Sequence, residues 1–156
     1  MNEFSAKKIG EGLAFTNVSN KTFEKGYEGF RKLFMDVKLD ALKKENTECY
    51  DELLNIAKEL KVEDITLSKA LATEEKLLSM RDLYVKDEWD NITELCEWLG
   101  FFEGAAVVHF TLIKGIAESL EHKALEALAD RAIIFHEEIL KTSSLSLYNI
   151  GKEKSI

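Results

Sequence analysis

No proline interrupts the 156 residues of this chain, and apolar side chains recur along nearly all of it at intervals of three and four. Both features constrain the fold in one direction. Proline removes a backbone donor and breaks a helix interior. A three-four recurrence lines one face of a 3.6-residue helix, not of a strand. The eight glycines are scattered, whereas all-β folds lean on turns rich in Gly and Pro. The chain is therefore expected to be all-α, a bundle of four or five helices.

The pattern divides into segments. Ile9, Leu13, Thr16, Asn20, Phe23, Tyr27, Phe30, Phe34 and Val37 form one stripe, on a single long helix or on two joined near Ser19-Asn20. Cys49, Leu53, Ile56, Ala57 and Leu60 mark a shorter helix, with Asn46 or Thr47 as N-cap. Leu67, Leu71, Leu78 and Val85 mark a third, capped by Thr66 or Ser68. A fourth runs from about Trp89 to Leu120 behind Asp87, and a fifth from about His122 to Thr142. Residues 1–142 thus read as one helical-bundle domain, with a ferritin-like up-down architecture as one arrangement open to it, and residues 143–156 as a loosely ordered tail whose Leu145, Leu147, Tyr148 and Ile150 can dock.

The fourth segment is the expected centre of the bundle. Leu95, Leu99, Phe102, Ala106, Ile113 and Ile116 share its core face, while Gly100, Gly104 and Thr111 line a side that a neighbouring helix can approach closely. Trp98 to Ala117 matches a membrane span in length, but Glu103, His109 and Lys114 inside it would be costly in lipid. A buried helix of a bundle is the expected reading, with no membrane partner.

Hydrophobic residues make up 46% and charged residues 32%, the balance of a folded domain and not of a disordered one. The net charge of −8 repels phosphate backbones and argues against nucleic-acid binding through a basic face. Cys49 and Cys96 form neither a CxxC pair nor a metal-spaced set. With no signal peptide in Met1–Ser5, two reduced thiols in a cytoplasmic protein are expected.

Five polar residues fall among apolar ones when each residue is advanced 100° around its helix. His109 lies between Phe102, Ala106, Ile113 and Ile116, and His136 between Ala129, Ala132, Ile133 and Ile139. Glu11 sits among Phe4, Phe15 and Val18, Glu74 among Leu67, Leu71 and Leu78, and Glu103 at the edge of its helix's core face, beside Leu99, Ala106 and Phe110. A turn near Glu121 would set the histidines within ~5 Å in height; a turn nearer Ser119 would part them by ~10 Å. Buried carboxylates and imidazoles need a partner or a metal, and inward carboxylates and histidines are how bundles hold iron or manganese pairs. His109, His136, Glu103, Glu11 and Glu74 are accordingly the candidate metal ligands. The Glu-x-x-His pair of such centres is absent, and a core histidine bonded to a carbonyl or carboxylate is the plainer alternative.

No nucleophile elbow or phosphate loop occurs. The expected function is therefore a binding or assembly protein, a homo-oligomer joined through helix faces, with the Phe-rich stripe from Ile9 to Val37 as its interface. A metal-carboxylate bundle is the first alternative. A haem or small-molecule sensor built on the two histidines is the second.

Overall fold

A computed structural model describes residues 1–156 as six helices without a strand: α1 (Glu3–Lys25), α2 (Tyr27–Phe30), α3 (Asp36–Glu59), α4 (Glu63–Val85), α5 (Ile92–Ser119) and α6 (Lys123–Lys154). The all-α expectation holds, with five long helices and one single-turn piece.

The long helices alternate in direction. Ser19 meets Asn46 and Glu24 meets Lys43, so α3 runs against α1. Thr66, Glu74 and Arg81 of α4 meet Ala6, Asn17 and Thr22 in ascending order, so α4 runs with α1. Glu11 and Phe15 meet His109 and Phe102, which sets α5 against α1. Lys114 and Glu103 pair with Asp130 and His136, which sets α6 against α5. Glu52 with Arg131 closes α3 onto α6. α1, α3, α6 and α5 thus form a closed ring, and α4 lies along α1.

Several boundaries differ from the sequence reading. α1 runs through Ser19-Asn20 and stops at Gly26, so the stripe breaks between Phe23 and Tyr27 and not near Ser19-Asn20. A Cβ on Gly26 would stand 2.8 Å from the Phe30 ring, and one on Gly29 would stand 2.3 Å from the Trp89 carbonyl oxygen. Both glycines therefore serve close approach, letting Phe30 fold back edge-on to Phe23 at 5.0 Å. α3 starts at Asp36, not near Asn46, because Asn46 is buried and its amide donates to the Ser19 hydroxyl at 2.7 Å. α5 starts behind Asn91, whose side chain accepts from the Thr93 amide at 3.1 Å, and not behind Asp87. α6 continues past Thr142 to Lys154, so residues 143–154 are helix where a loose tail is expected. Buried Ser143 stays within it by returning its hydroxyl to the Ile139 carbonyl.

α4 keeps part of its expected face, with Val85 and Glu74 buried and Leu67 and Leu78 half-buried against the core, but is turned slightly from it. Leu71 is 71% exposed, and the buried residues are Thr66, Ala70, Glu74, Arg81 and Val85. The cause is packing distance. A Cβ on Gly10 would lie 2.4 Å from the Thr66 carbonyl oxygen, so α1 and α4 meet backbone to backbone over small residues. Leucines cannot occupy that seam. The Thr66 hydroxyl donates to the Ala6 carbonyl at 3.2 Å, as partner and not as cap.

The α3–α4 and α5–α6 turns share one design. Lys61 and Glu121 take left-handed backbone, with φ of 57° and 52°. The next amide in each, Val62 or His122, donates back to the carbonyl of Ala57 or Ala117 at 2.9 Å. This is the Schellman closure, ordinarily made with glycine.

Candidate functional site

The five candidate ligands separate into two pairs and a lone carboxylate. Glu103 and His136 form the deeper pair, at 0% and 1% exposure, with the His136 Nδ1 on Glu103 Oε2. Phe110 stacks on the His136 ring at 5.5 Å, and Phe135 meets it edge-on at 5.0 Å. The second oxygen, Oε1 of Glu103, is buried without a protein partner. Glu103 therefore lies deeper than the core-edge position expected for it.

Glu11 and His109 form the second pair, across α1 and α5, with His109 Nδ1 3.3 Å from Glu11 Oε2. The ring's Nε2 lies 3.0 Å from the Lys8 carbonyl oxygen. A carbonyl only accepts, so Nε2 carries the hydrogen and donates. Neutral His109 then turns the bare Nδ1 toward Glu11. Burial pushes the imidazole down from its ordinary value, although the Lys8 carbonyl and the Glu11 charge favour its cation. Burial pushes the Glu11 carboxyl up, but Lys8, His109 and Lys69 more than offset it and hold it below the ordinary range. Lys8 and Lys69 reach Glu11 at 2.9 and 3.3 Å. Phe15 stacks on the His109 ring at 5.3 Å.

Glu74 is apart from both pairs, in the α1–α4 seam, where it takes a hydrogen bond from Asn17 at 2.9 Å and an ion pair from Lys21. No three of the His, Cys, Asp and Glu side chains are grouped to hold a metal ion. The principal cavities are lined by neither His109 nor His136. Each histidine is satisfied by a neighbouring helix instead. The thiols are unpaired, and burial, ahead of nearby Glu52, pushes Cys49 up to about 12. It is not poised as a nucleophile.

The phenylalanines of the Phe-rich stripe are consumed inside the chain, Phe23 and Phe30 fully buried and Phe34 6% exposed in the central core, whereas Asn20 and Tyr27 are half-buried and Val37 is exposed. Exposed apolar side chains occur on several helices, among them Val37, Leu71, Leu83, Ile134 and Leu145, and the outward face of α5 carries a row of them. Phe101 is 63% exposed, Val108 72% and Leu112 41%. Ala105, Thr111, Gly115 and Ser119 are exposed between and beyond them. Within about 60° of Val108 around the helix axis, no charged residue occurs from Trp98 to Ala117. At the C-terminal end this face forms one wall of an open groove of roughly 620 Å3, with Phe4, Val108, Leu112, Gly115, Ile116 and Leu120 around it. Gly100, Gly104 and Gly115 have no atom within 4 Å of where a Cβ would be. The close helix neighbour expected at Gly100 and Gly104 is therefore not supplied by this chain.

The sequence reading names the small residues of this side, Gly100, Gly104 and Thr111, but not the apolar residues beside them. The outward stripe's signal is present in the spacing of Phe101, Ala105, Val108, Leu112, Gly115 and Ser119. By length and composition α5 is apolar enough to span a membrane, yet 39% of its most apolar window is buried against the other helices. No family model, curated protein or solved structure matches the chain.

Proposed function

We propose that the chain is an assembly module, a helical bundle that self-associates through the exposed face of α5 and acts through that association, not through catalysis. The observation that carries this reading is the uncharged stripe of Phe101, Val108 and Leu112 set among glycines that contact nothing. Glycine within a helix costs about 1 kcal/mol relative to alanine. Three in the outward half of one helix are therefore expensive unless something approaches closely there. A protein with a −8 surface charge and an uncharged band along one helix is suited to burying that band against a like band. The free thiols of Cys49 and Cys96 suit a reducing, cytoplasmic setting.

An iron- or manganese-carboxylate bundle has less to rest on. It would need Glu11, Glu74, Glu103, His109 and His136 to converge, and they are divided among three places. The test is sedimentation velocity over a concentration series on the wild type and on Val108→Glu. We expect a wild-type oligomer and a helical, monomeric variant. A wild type that is monomeric at the highest concentration refutes self-association.

A further inference from the structure

The outward face of α5 is self-complementary in shape, and this deepens the assembly reading, on which it rests. Take Val108 as centre and compare positions equally far on either side. Phe101 is matched by Gly115, Leu112 by Gly104, and Ala105 by Thr111. Each large side chain on the stripe has a glycine as its mirror position, and the two intermediate residues mirror each other.

A two-fold axis through an antiparallel helix pair exchanges such positions. We infer that two copies of this chain pack their α5 helices antiparallel about a two-fold axis at Val108, with Phe101 of each seated over Gly115 of the partner subunit and Leu112 over Gly104 of the partner subunit. The receiving surface for Phe101 already exists. Gly115 is open at the base of the roughly 620 Å3 groove, whose walls are Phe4, Val108, Leu112 and Ile116. Phe101 is the most protruding aromatic on the same face, and its mirror position falls in that groove.

Three arguments select a second copy, antiparallel, as the occupant. The first is register: only a copy carries the same spacing of bulk and glycine. The second is charge. A parallel pair would set Glu94 and Glu97 against their own counterparts and align the helix dipoles, and an antiparallel pair avoids both. The third is area. The exposed parts of Phe4, Phe101, Val108, Leu112 and Leu120, with the small residues between them, bury on the order of 600 Å2 per subunit, at the lower bound of a specific dimer. Glycines at the crossing allow the helix axes to approach to about 8 Å, the near end of the packing range.

The axis makes a test that simple association does not share, because a residue on the axis meets its own counterpart. In the full chain, Val108→Cys should oxidise with copper phenanthroline to a disulfide-linked dimer, with wild type as the blank for Cys49 and Cys96. Ala105→Cys alone should cross-link more slowly by on the order of tenfold or more, since only the matched position gains a high effective concentration. Its two copies stand ~9 Å apart along the axis, beyond disulfide reach. Each substitution is exposed and small, and circular dichroism confirms that each variant is folded. Sedimentation of the same samples separates the two levels. A dimer in which Val108→Cys reacts no faster than Ala105→Cys overturns the two-fold packing and leaves self-association standing. A monomer overturns both, and a monomer that co-floats with phosphatidylcholine vesicles assigns the α5 face to lipid.

Discussion

Glu103 and His136 hold each other across α5 and α6, whereas His109, six residues along α5 from Glu103, turns away to Glu11 on α1. Six residues of helix are ~9 Å, so the two histidines belong to different layers as well as different partners. The Glu103–His136 contact is the most deeply buried polar contact between these helices and the one with least redundancy, since Glu103 Oε1 has no second protein partner. Removing one member strands the other in an apolar layer.

His136→Leu should therefore cost about 3–5 kcal/mol of unfolding free energy, and Glu103→Leu a comparable amount. The double variant Glu103→Leu/His136→Leu should recover most of that loss, because two well-packed apolar residues replace a buried pair at little net cost. Urea denaturation of the four proteins measures the coupling. Additive losses would show that the pair is not the source of the sensitivity.

The Glu11–His109 pair should make the fold acid-sensitive in two stages. His109 has a depressed folded pKa, so the unfolded chain binds its proton more readily. Its contribution is complete above about 6.5, the ordinary histidine value, and is lost as pH falls below it. Glu11 is also depressed, so its contribution is complete above the ordinary carboxylate value and is lost as pH falls through the lower folded value. The melting temperature should drop between pH 7.5 and 5.5, and His109→Gln should flatten that first stage while keeping a reduced second one, since Lys8 and Lys69 still lower Glu11. An unchanged slope in the variant would assign the first stage to another group.

The two left-handed turn residues offer a stabilising change. Lys61 and Glu121 hold φ near +55° without the freedom of glycine. Lys61→Gly and Glu121→Gly should each stabilise by about 1 kcal/mol. Melting curves of the single and double variants should show near-additive gains, because the turns close different helix pairs.

Glycine-to-alanine changes should have opposite signs at two positions. Gly10→Ala places a methyl 2.4 Å from the Thr66 carbonyl and must push α4 off α1, a destabilisation of about 1–3 kcal/mol. Gly104→Ala meets nothing within the chain and should stabilise the dilute monomer by up to about 1 kcal/mol. The same methyl should weaken self-association, read as a higher concentration for half-dimerisation in sedimentation. A tighter dimer would place Gly104 outside the interface.

The helical class and the core face of α5 were legible because dense three-four spacing admits little else. Leu95, Leu99, Phe102, Ala106 and Ile113 are buried as their period requires. The inward placement of Glu103 and His136 was also legible, but their pairing was not. It depends on the α5–α6 turn, which carries neither Gly nor Pro, and a shift of a few residues there changes which side chains are level. The rotation of α4 was hidden for a different reason. Its leucines make the stronger periodic signal, but the backbone contact at Gly10 and Thr66 favours small residues, and that preference exists only once α1 is beside it. The outward stripe of α5 was concealed by the helix being apolar nearly all round.

Five long helices, an odd number, leave the chain ends at opposite poles of the bundle. α6 alone, at 32 residues, is ~48 Å long. Joining Met1 to Ile156 to permute this sequence circularly would need an extended tether of about fourteen residues across the outside of the bundle. A bundle with an even number could do so with a short turn. The proposed two-fold pair would reverse this restriction, because one copy's last helix would finish at the pole where the other copy's first helix begins. A gene encoding two copies in tandem could thus use a short connection where a permuted single copy could not.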